Sequence, residues 1–202
     1  MKTIVCPGEL ISDKAEKGHG ILIRNNKTYS KYLGVLYKND FGLQVIPLQG
    51  KYAPKIDDDI IGVIVDEDVN GYIVDVRSAK NSYILKRFVN AKLHLGNILL
   101  LRVLSVNEIK EIQVEVKGKL DDGILLEIAA KKVPRVIGKN KSMLDVLEKH
   151  SKSEIFVGAN GFILVKNGLP NVVKKAIDII DKYSHVDSLT DKIDAYLSNG
   201  ED

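Results

Sequence analysis

Lys131-Lys132-Val133-Pro134-Arg135-Val136-Ile137-Gly138-Lys139-Asn140-Lys141-Ser142 is the stretch on which the fold turns. Proline is tolerated in the first turn of a helix, so Pro134 fits the start of a short one. Gly138, which lacks a Cβ, lets the chain turn sharply and lets another backbone come close. Met143, Leu144, Val146 and Leu147 then recur at helical spacing and predict a second helix from about Ser142. Working outward, Ile124 to Ile128 predicts a strand before the first helix. Glu154 to Val157 and Phe162 to Val165 predict two strands after the second, joined by Gly158-Ala159-Asn160-Gly161. An amphipathic run from about Asn171 to Tyr183 closes the unit.

The order is therefore strand, helix, loop, helix, strand, strand, helix, which predicts an α/β KH domain (βααββα) over 119–202. A KH module clamps single-stranded nucleic acid with the loop between its first two helices. Gly138 and the free N–H groups at the start of the second helix favour a phosphate there. Arg135, Lys139 and Lys141 add charge, Ser142 opens the helix, and Val136 and Ile137 offer an apolar wall to bases. The usual loop is Gly-x-x-Gly. Here Lys141 holds the second glycine position, exchanging easy backbone approach for another cation.

Charge is concentrated around this loop. Residues 131–175 carry ten Lys/Arg against three Asp/Glu, and residues 176–202 carry two against seven. Such a field steers a polyanion. The single cysteine, Cys6, excludes an intramolecular disulfide. No apolar run reaches membrane-spanning length, and the N-terminus lacks a signal-peptide pattern, so a cytoplasmic protein without a membrane partner is expected.

The rest of the chain reads as strands. Over 1–56, Ile21 to Arg24, Leu33 to Tyr37 and Leu43 to Leu48 predict a small N-terminal β domain, with Gly18-His19-Gly20 as a turn. Over 57–118, five short strands predict an OB-type β-barrel that closes its own edges: Ile60 to Val65, Tyr72 to Val76, Ser82 to Leu85, Ile98 to Val103 and Ile112 to Val116. Asn70-Gly71 marks a hairpin, and Lys117-Gly118-Lys119 with Asp121-Asp122-Gly123 reads as a polar connection. On the barrel, Tyr72, Tyr83 and Phe88 are candidate stacking rings; the two tyrosines are equally readable as core, and Phe88 reads more readily as core. Arg77, Lys80, Lys86, Arg87 and Arg102 are candidate phosphate contacts. Ser188 reads as the cap of a final helix, about Leu189 to Leu197.

No catalytic constellation emerges, so an enzyme is not expected, and neither is a metal or cofactor. His19, His94, His150 and His185 are scattered without ligand spacing. Asp57-Asp58-Asp59 reads as a solvated strand entry.

Pro7-Gly8-Glu9, Gly18-His19-Gly20, Ile46 to Tyr52, Ile61 to Ile64, Gly71 to Asp75, Lys132 to Lys139, Ile155 to Gly158 and Asn160-Gly161 together carry a resemblance. In this order they resemble the RNA-binding cap subunits of the archaeal RNA exosome, built from an N-terminal domain, an S-one barrel and a KH domain. The resemblance spans nearly the whole chain. It implies a non-catalytic protein, three copies of which sit on a hexameric ring of RNase PH-like subunits. That ring degrades RNA from its 3′ end with phosphate or adds tails. It further implies docking through the N-terminal domain, with Pro7, Gly8, His19 and Tyr52 as candidate ring contacts, and mixing with an alternative cap subunit. The sequence also leaves open a free-standing single-stranded RNA-binding protein and a mainly structural cap with weak RNA affinity.

Overall fold

The structure is a computed structural model that describes residues 3–39, 42–47, 52–89, 92–109, 111–120, 122–184, 186 and 188–198. Leu48 to Lys51, Asp121 and His185, all used in the sequence reading, lie outside the described residues. The chain forms two compact units, 1–50 and 51–202.

The first unit holds β1 (Thr3–Val5), β2 (Leu10–Ser12), β3 (Gly18–His19), β4 (Ile21–Arg24), β5 (Lys27–Ser30), β6 (Gly34–Asn39) and β7 (Gly42–Pro47). They make two sheets, ordered β1-β6-β7-β3 and β2-β5-β4. Val5, Ile21 and Val45 form the core, with Ile11 and Leu36 against them. Gly18-His19 is not a turn: it is β3, running parallel to Leu43 and Gln44 of β7. Only glycine fits at 18, because a Cβ there would meet the Leu43 carbonyl oxygen at 1.6 Å. Thr28, fully buried, ties the loop between β2 and β3 by donating to the Lys14 carbonyl (2.7 Å) and accepting from the Glu16 amide (3.0 Å).

The second unit begins with β8 (Asp59–Glu67), β9 (Gly71–Asp75), β10 (Ser82–Leu85), β11 (Ile98–Val106) and β12 (Ile112–Leu120). The sheet order is β10-β9-β8-β11-β12. It is OB-like, but it is open, and among the described residues no sheet closes into the expected barrel. Bulges between Ile64 and Asp66 and along β11 and β12 bend the sheet towards closure. Yet β10 is only four residues long and its ladder is spent on β9. It meets β12 through a side chain, with Ser82 Oγ donating to the Ile112 carbonyl (3.2 Å). The same bulging absorbs Lys117: Leu100 pairs with Gly118 and Leu101 with Val116, so Lys117-Gly118-Lys119 is strand rather than the expected connection.

Then come β13 (Ile124–Glu127), α1 (Val133–Ile137), α2 (Ser142–Ser151), β14 (Glu154–Val157), β15 (Phe162–Lys166), α3 (Pro170–Tyr183) and α4 (Leu189–Ser198). The three strands form an antiparallel sheet, ordered β13-β15-β14. The carbonyl of Ser188 accepts from the Lys192 amide as α4 starts.

Alternation along the strands builds three apolar layers, because successive side chains point to opposite faces. Ile60 and Ile64 of β8, with Leu99, Leu101 and Val103 of β11, fill the concave side of the OB-like sheet. Ile61, Val63, Ile98 and Leu100 face the other way, onto Leu125, Phe156, Phe162 and Leu164 of the three-stranded sheet. Ile155, Ile163 and Val165 point beyond, into a core closed by Val173, Ile177 and Ile180 of α3 and by Ile193 of α4.

Polar contacts lock the two sheets together where β14 turns into β15. Asn160 is 1% exposed. Its amide donates to the Ile61 carbonyl (2.6 Å) and the Val76 carbonyl (3.0 Å), and its oxygen accepts from the Ile61 amide (3.3 Å). The Ala159 amide donates to the Asp59 carbonyl (2.9 Å). Gly161 follows at φ +86°, where a Cβ would lie 2.2 Å from the Ile128 carbonyl oxygen. Replacing Asn160 with Ala strips three buried bonds and leaves backbone groups without those partners, so unfolding stability should drop by about 2–4 kcal/mol. Urea titration of the full chain measures this, and an unmoved midpoint would remove Asn160 from its role in the joint.

Candidate nucleic-acid interface

The loop that ends α1 is shaped by three departures from ordinary backbone geometry within four residues. Gly138 has φ +74° and ψ 173°, and a Cβ there would meet the Met143 amide nitrogen at 2.6 Å. Asn140 (φ +51°) and Lys141 (φ +65°) are left-handed. Lys141 thus takes the conformation that glycine accepts freely, which costs a residue with a Cβ roughly 1–2 kcal/mol. In return, the side chains of Lys139, Lys141 and Ser142 stand exposed at the start of α2. Arg135 is half-buried on α1. Among the described residues, Arg135, Lys139 and Lys141 form no ion pair, so their charge is open to an anion. Val136 is fully buried in the helical core and presents nothing to a base. Ile137, with Pro134, instead lines a groove of about 470 Å³ whose opposite wall includes Tyr52 and Asp58.

Tyr52 is 7% exposed and packs under the OB-like sheet, its hydroxyl donating to the Asp58 carboxylate (2.5 Å). Burial, then that carboxylate, pushes the phenol well above its ordinary range. Pro7, Gly8 and His19 are exposed in the first unit.

On the OB-like sheet the sequence candidates separate. Tyr83, Lys86 and Arg87 come together around a hollow of about 620 Å³, beside Val69 and Asn70 of the β8–β9 turn. Tyr83 donates to Asp68 (2.8 Å), and Lys86 pairs with Glu67 (2.7 Å) and donates to the Asp68 carbonyl (2.7 Å). Tyr72 lies inside, 5% exposed, with the Lys86 ammonium 5.4 Å from its ring centre. The other three stand elsewhere. Lys80 pairs with Glu111 (3.0 Å), and Arg102 grips Asp59 through two bonds (2.8 and 3.0 Å). Arg77 turns into the joint, donating to the carbonyls of Ile128 (2.9 Å) and Gly161 (3.0 Å). Its guanidinium also lies over the Phe162 ring at 5.2 Å, so this cation holds the two sheets together.

Two residues were misread or missed by sequence. Phe88 is 69% exposed rather than core. Asn160 looked like a loop residue and is the polar hinge pin. The flanking Lys86-Arg87 was the available signal for Phe88, whereas nothing local marked Asn160. Among the described residues, no three His, Cys, Asp or Glu side chains gather to hold a metal ion. No helix among them is long and apolar enough to cross a membrane.

Residues 2–49 match the family described as the exosome RNA binding protein RRP4 N-terminal domain. The whole chain aligns with the exosome complex component Rrp4 of Methanothermus fervidus, 35% identical over 97% of this chain and 95% of that one. The Picrophilus torridus protein of the same name is 33% identical, over 98% and 93%. The chain belongs to the archaeal exosome Rrp4 family. A crystal structure described as an exosome complex RNA-binding protein superposes with a TM-score of 0.67 and 26% identity, covering 74% of this chain and 96% of that one.

Two predictions follow from the Rrp4-type site. Lys141→Gly relieves the left-handed strain and should stabilise the fold by about 0.5–1 kcal/mol in urea titration, provided the loop keeps its shape. A destabilised variant would mean that the Lys141 side chain holds the loop. The second concerns Asp68, whose carboxyl is held below its ordinary value, mainly by the Tyr83 hydroxyl and then by the Asn70 amide. Tyr83 is in turn raised by Asp68. A depressed acid stabilises the fold above its unfolded value and loses that contribution as pH falls through the folded one. A raised phenol keeps its contribution up to its unfolded value and loses it as pH climbs through the folded one. The pair is therefore intact between about pH 4 and pH 10. An NMR titration should place Asp68 below about 3.9, and Tyr83→Phe should move it up; an unchanged midpoint would contradict the assignment.

Proposed function

We propose that this chain is a non-catalytic RNA-binding cap component of an archaeal exosome, delivering single-stranded RNA to a ring of RNase PH-like subunits. The observation that carries this reading is the end-to-end relationship with Rrp4 components, 35% identical over 97% of the chain. The ring performs 3′-to-5′ phosphorolysis and tailing, and this chain raises the local concentration of RNA at its entrance. Residues 1–56 dock on the ring, with Pro7, Gly8 and His19 in exposed positions that suit such a contact. The 57–118 and 119–202 parts bind RNA, and three copies serve one hexameric ring. The cations at 135, 139 and 141, without an ion pair among the described residues, support the RNA-binding side of this reading, since phosphate contacts supply most sequence-independent affinity.

The purified chain should therefore degrade no RNA alone, yet speed turnover of long RNA by a reconstituted ring. The gain should vanish for oligonucleotides too short to reach the cap. A chain lacking the first unit should fail to co-migrate with the ring in size-exclusion chromatography while still binding RNA. Full ring binding by that truncation would place the docking surface elsewhere.

A further inference from the structure

Because the OB-like sheet stays open, a groove of about 810 Å³ runs between β10 and β12. Its walls include Tyr83, Phe88, Leu104, Gln113 and Val116. Phe88 is 69% exposed, Leu104 50% and Tyr83 44%. Three large, partly exposed side chains around one groove form an apolar patch whose covering by a partner is favourable in water. The Arg87 guanidinium lies 4.8 Å from the centre of the Phe88 ring. Among the described residues it has no carboxylate partner. The guanidinium covers one face of the ring while the side chain stays 69% exposed, so ring and cation together offer what single-stranded nucleic acid needs: a platform for a base and a charge for the adjoining phosphate.

We propose that Phe88 is a base-stacking residue of this protein, seating one unstacked RNA base in the groove between β10 and β12 while Arg87 takes its phosphate. The inference rests on the RNA-binding reading above and adds a subsite to it. It moves the stacking role from Tyr72, whose ring is buried, to a ring at the seam. A peptide strand added along the edge of β10 or β12 fits less well. Ser82 Oγ already bridges to the Ile112 carbonyl at one end, and an incoming strand has to break that bond to extend a ladder. A base inserts side-on and leaves it intact. Stacking is tolerant of base identity, so the subsite adds affinity for single strands in general.

The sequence contains no tryptophan, so Phe88→Trp puts a lone reporter at the site in the full-length chain. Adding oligoadenylate or oligouridylate should quench its emission while affinity stays close to that of the parent protein. Phe88→Ala should weaken binding of both by roughly 5- to 150-fold. Because a stacking contact releases no counterions, the salt dependence should remain nearly unchanged. Phe88→Leu, which keeps apolar bulk without a flat ring, should also lose affinity. The exposed position leaves folding intact, and circular dichroism checks this. Equal affinity of the Ala variant and the parent, or Trp emission unmoved at saturating RNA, overturns the inference while leaving the RNA-binding reading standing. A parent chain that binds neither oligonucleotide overturns both. Quenching by ring subunits in place of RNA would identify the groove as a protein contact and also overturn the proposal.

Discussion

Burial of one sheet against both its neighbours is the constraint on which the second unit depends. Helices cover one side of the β13-β15-β14 sheet and the back of the OB-like sheet covers the other, so that its central strand β15 is buried on both faces while Ile124, Glu127 and Glu154 at the outer strands stay exposed. In β15, Phe162, Ile163, Leu164 and Val165 are all 4% exposed or less, which leaves no solvated face to tolerate a polar substitution. Such double burial fixes register strongly, because a one-residue slip would exchange the two apolar sets. It also explains why the polar groups at the seam are so fully partnered. Among the described residues, no buried side-chain nitrogen or oxygen lacks a hydrogen bond. A lone Asn160 in so dry a place is tolerable only because both ends of its amide are satisfied.

The two-sided strands were legible as strands, and their double burial was not. Phe162 to Val165 is a continuous apolar run, and Ile124 to Ile128 is apolar except for Glu127; such runs fit a strand covered on both faces. Their partners across the seam lie in β8, far back along the chain, and no local period announces a contact at that range. The open sheet has a similar origin. Five short strands state an OB-like order, but closure depends on whether the first and last edges find register. The bulges that decide this arise from pairing, as when Leu100 meets Gly118 and Leu101 meets Val116.

The backbone turn from Arg135 to Ser142 was readable because glycine and proline act locally, whereas the burial of Val136 in the helical core was not. The barrel cations were harder. Arg77, Lys80, Lys86 and Arg102 all look alike in sequence as basic residues near strands. Their fates diverge only through acids and carbonyls brought in by folding: Glu111, Glu67, Asp59 and the Ile128 carbonyl. Phe88 was misjudged for the complementary reason. An aromatic beside a barrel strand fits a core, and only the turn Lys86–Phe88 rotates it outward.

The locked joint has a consequence for multivalent binding. The OB-like sheet and the α1–α2 loop belong to one body, so the distance between them is fixed and no flexible linker is searched when a ligand already held at one reaches the other. The second contact then occurs at an effective concentration set by the ligand's own slack alone. A strand too short to span that fixed distance gains nothing from having two sites, and one just long enough gains most. If the sheet and the loop both hold one RNA strand, as proposed, the joint built around Asn160 and Arg77 is a ruler whose rigidity converts chain length, rather than base sequence, into affinity.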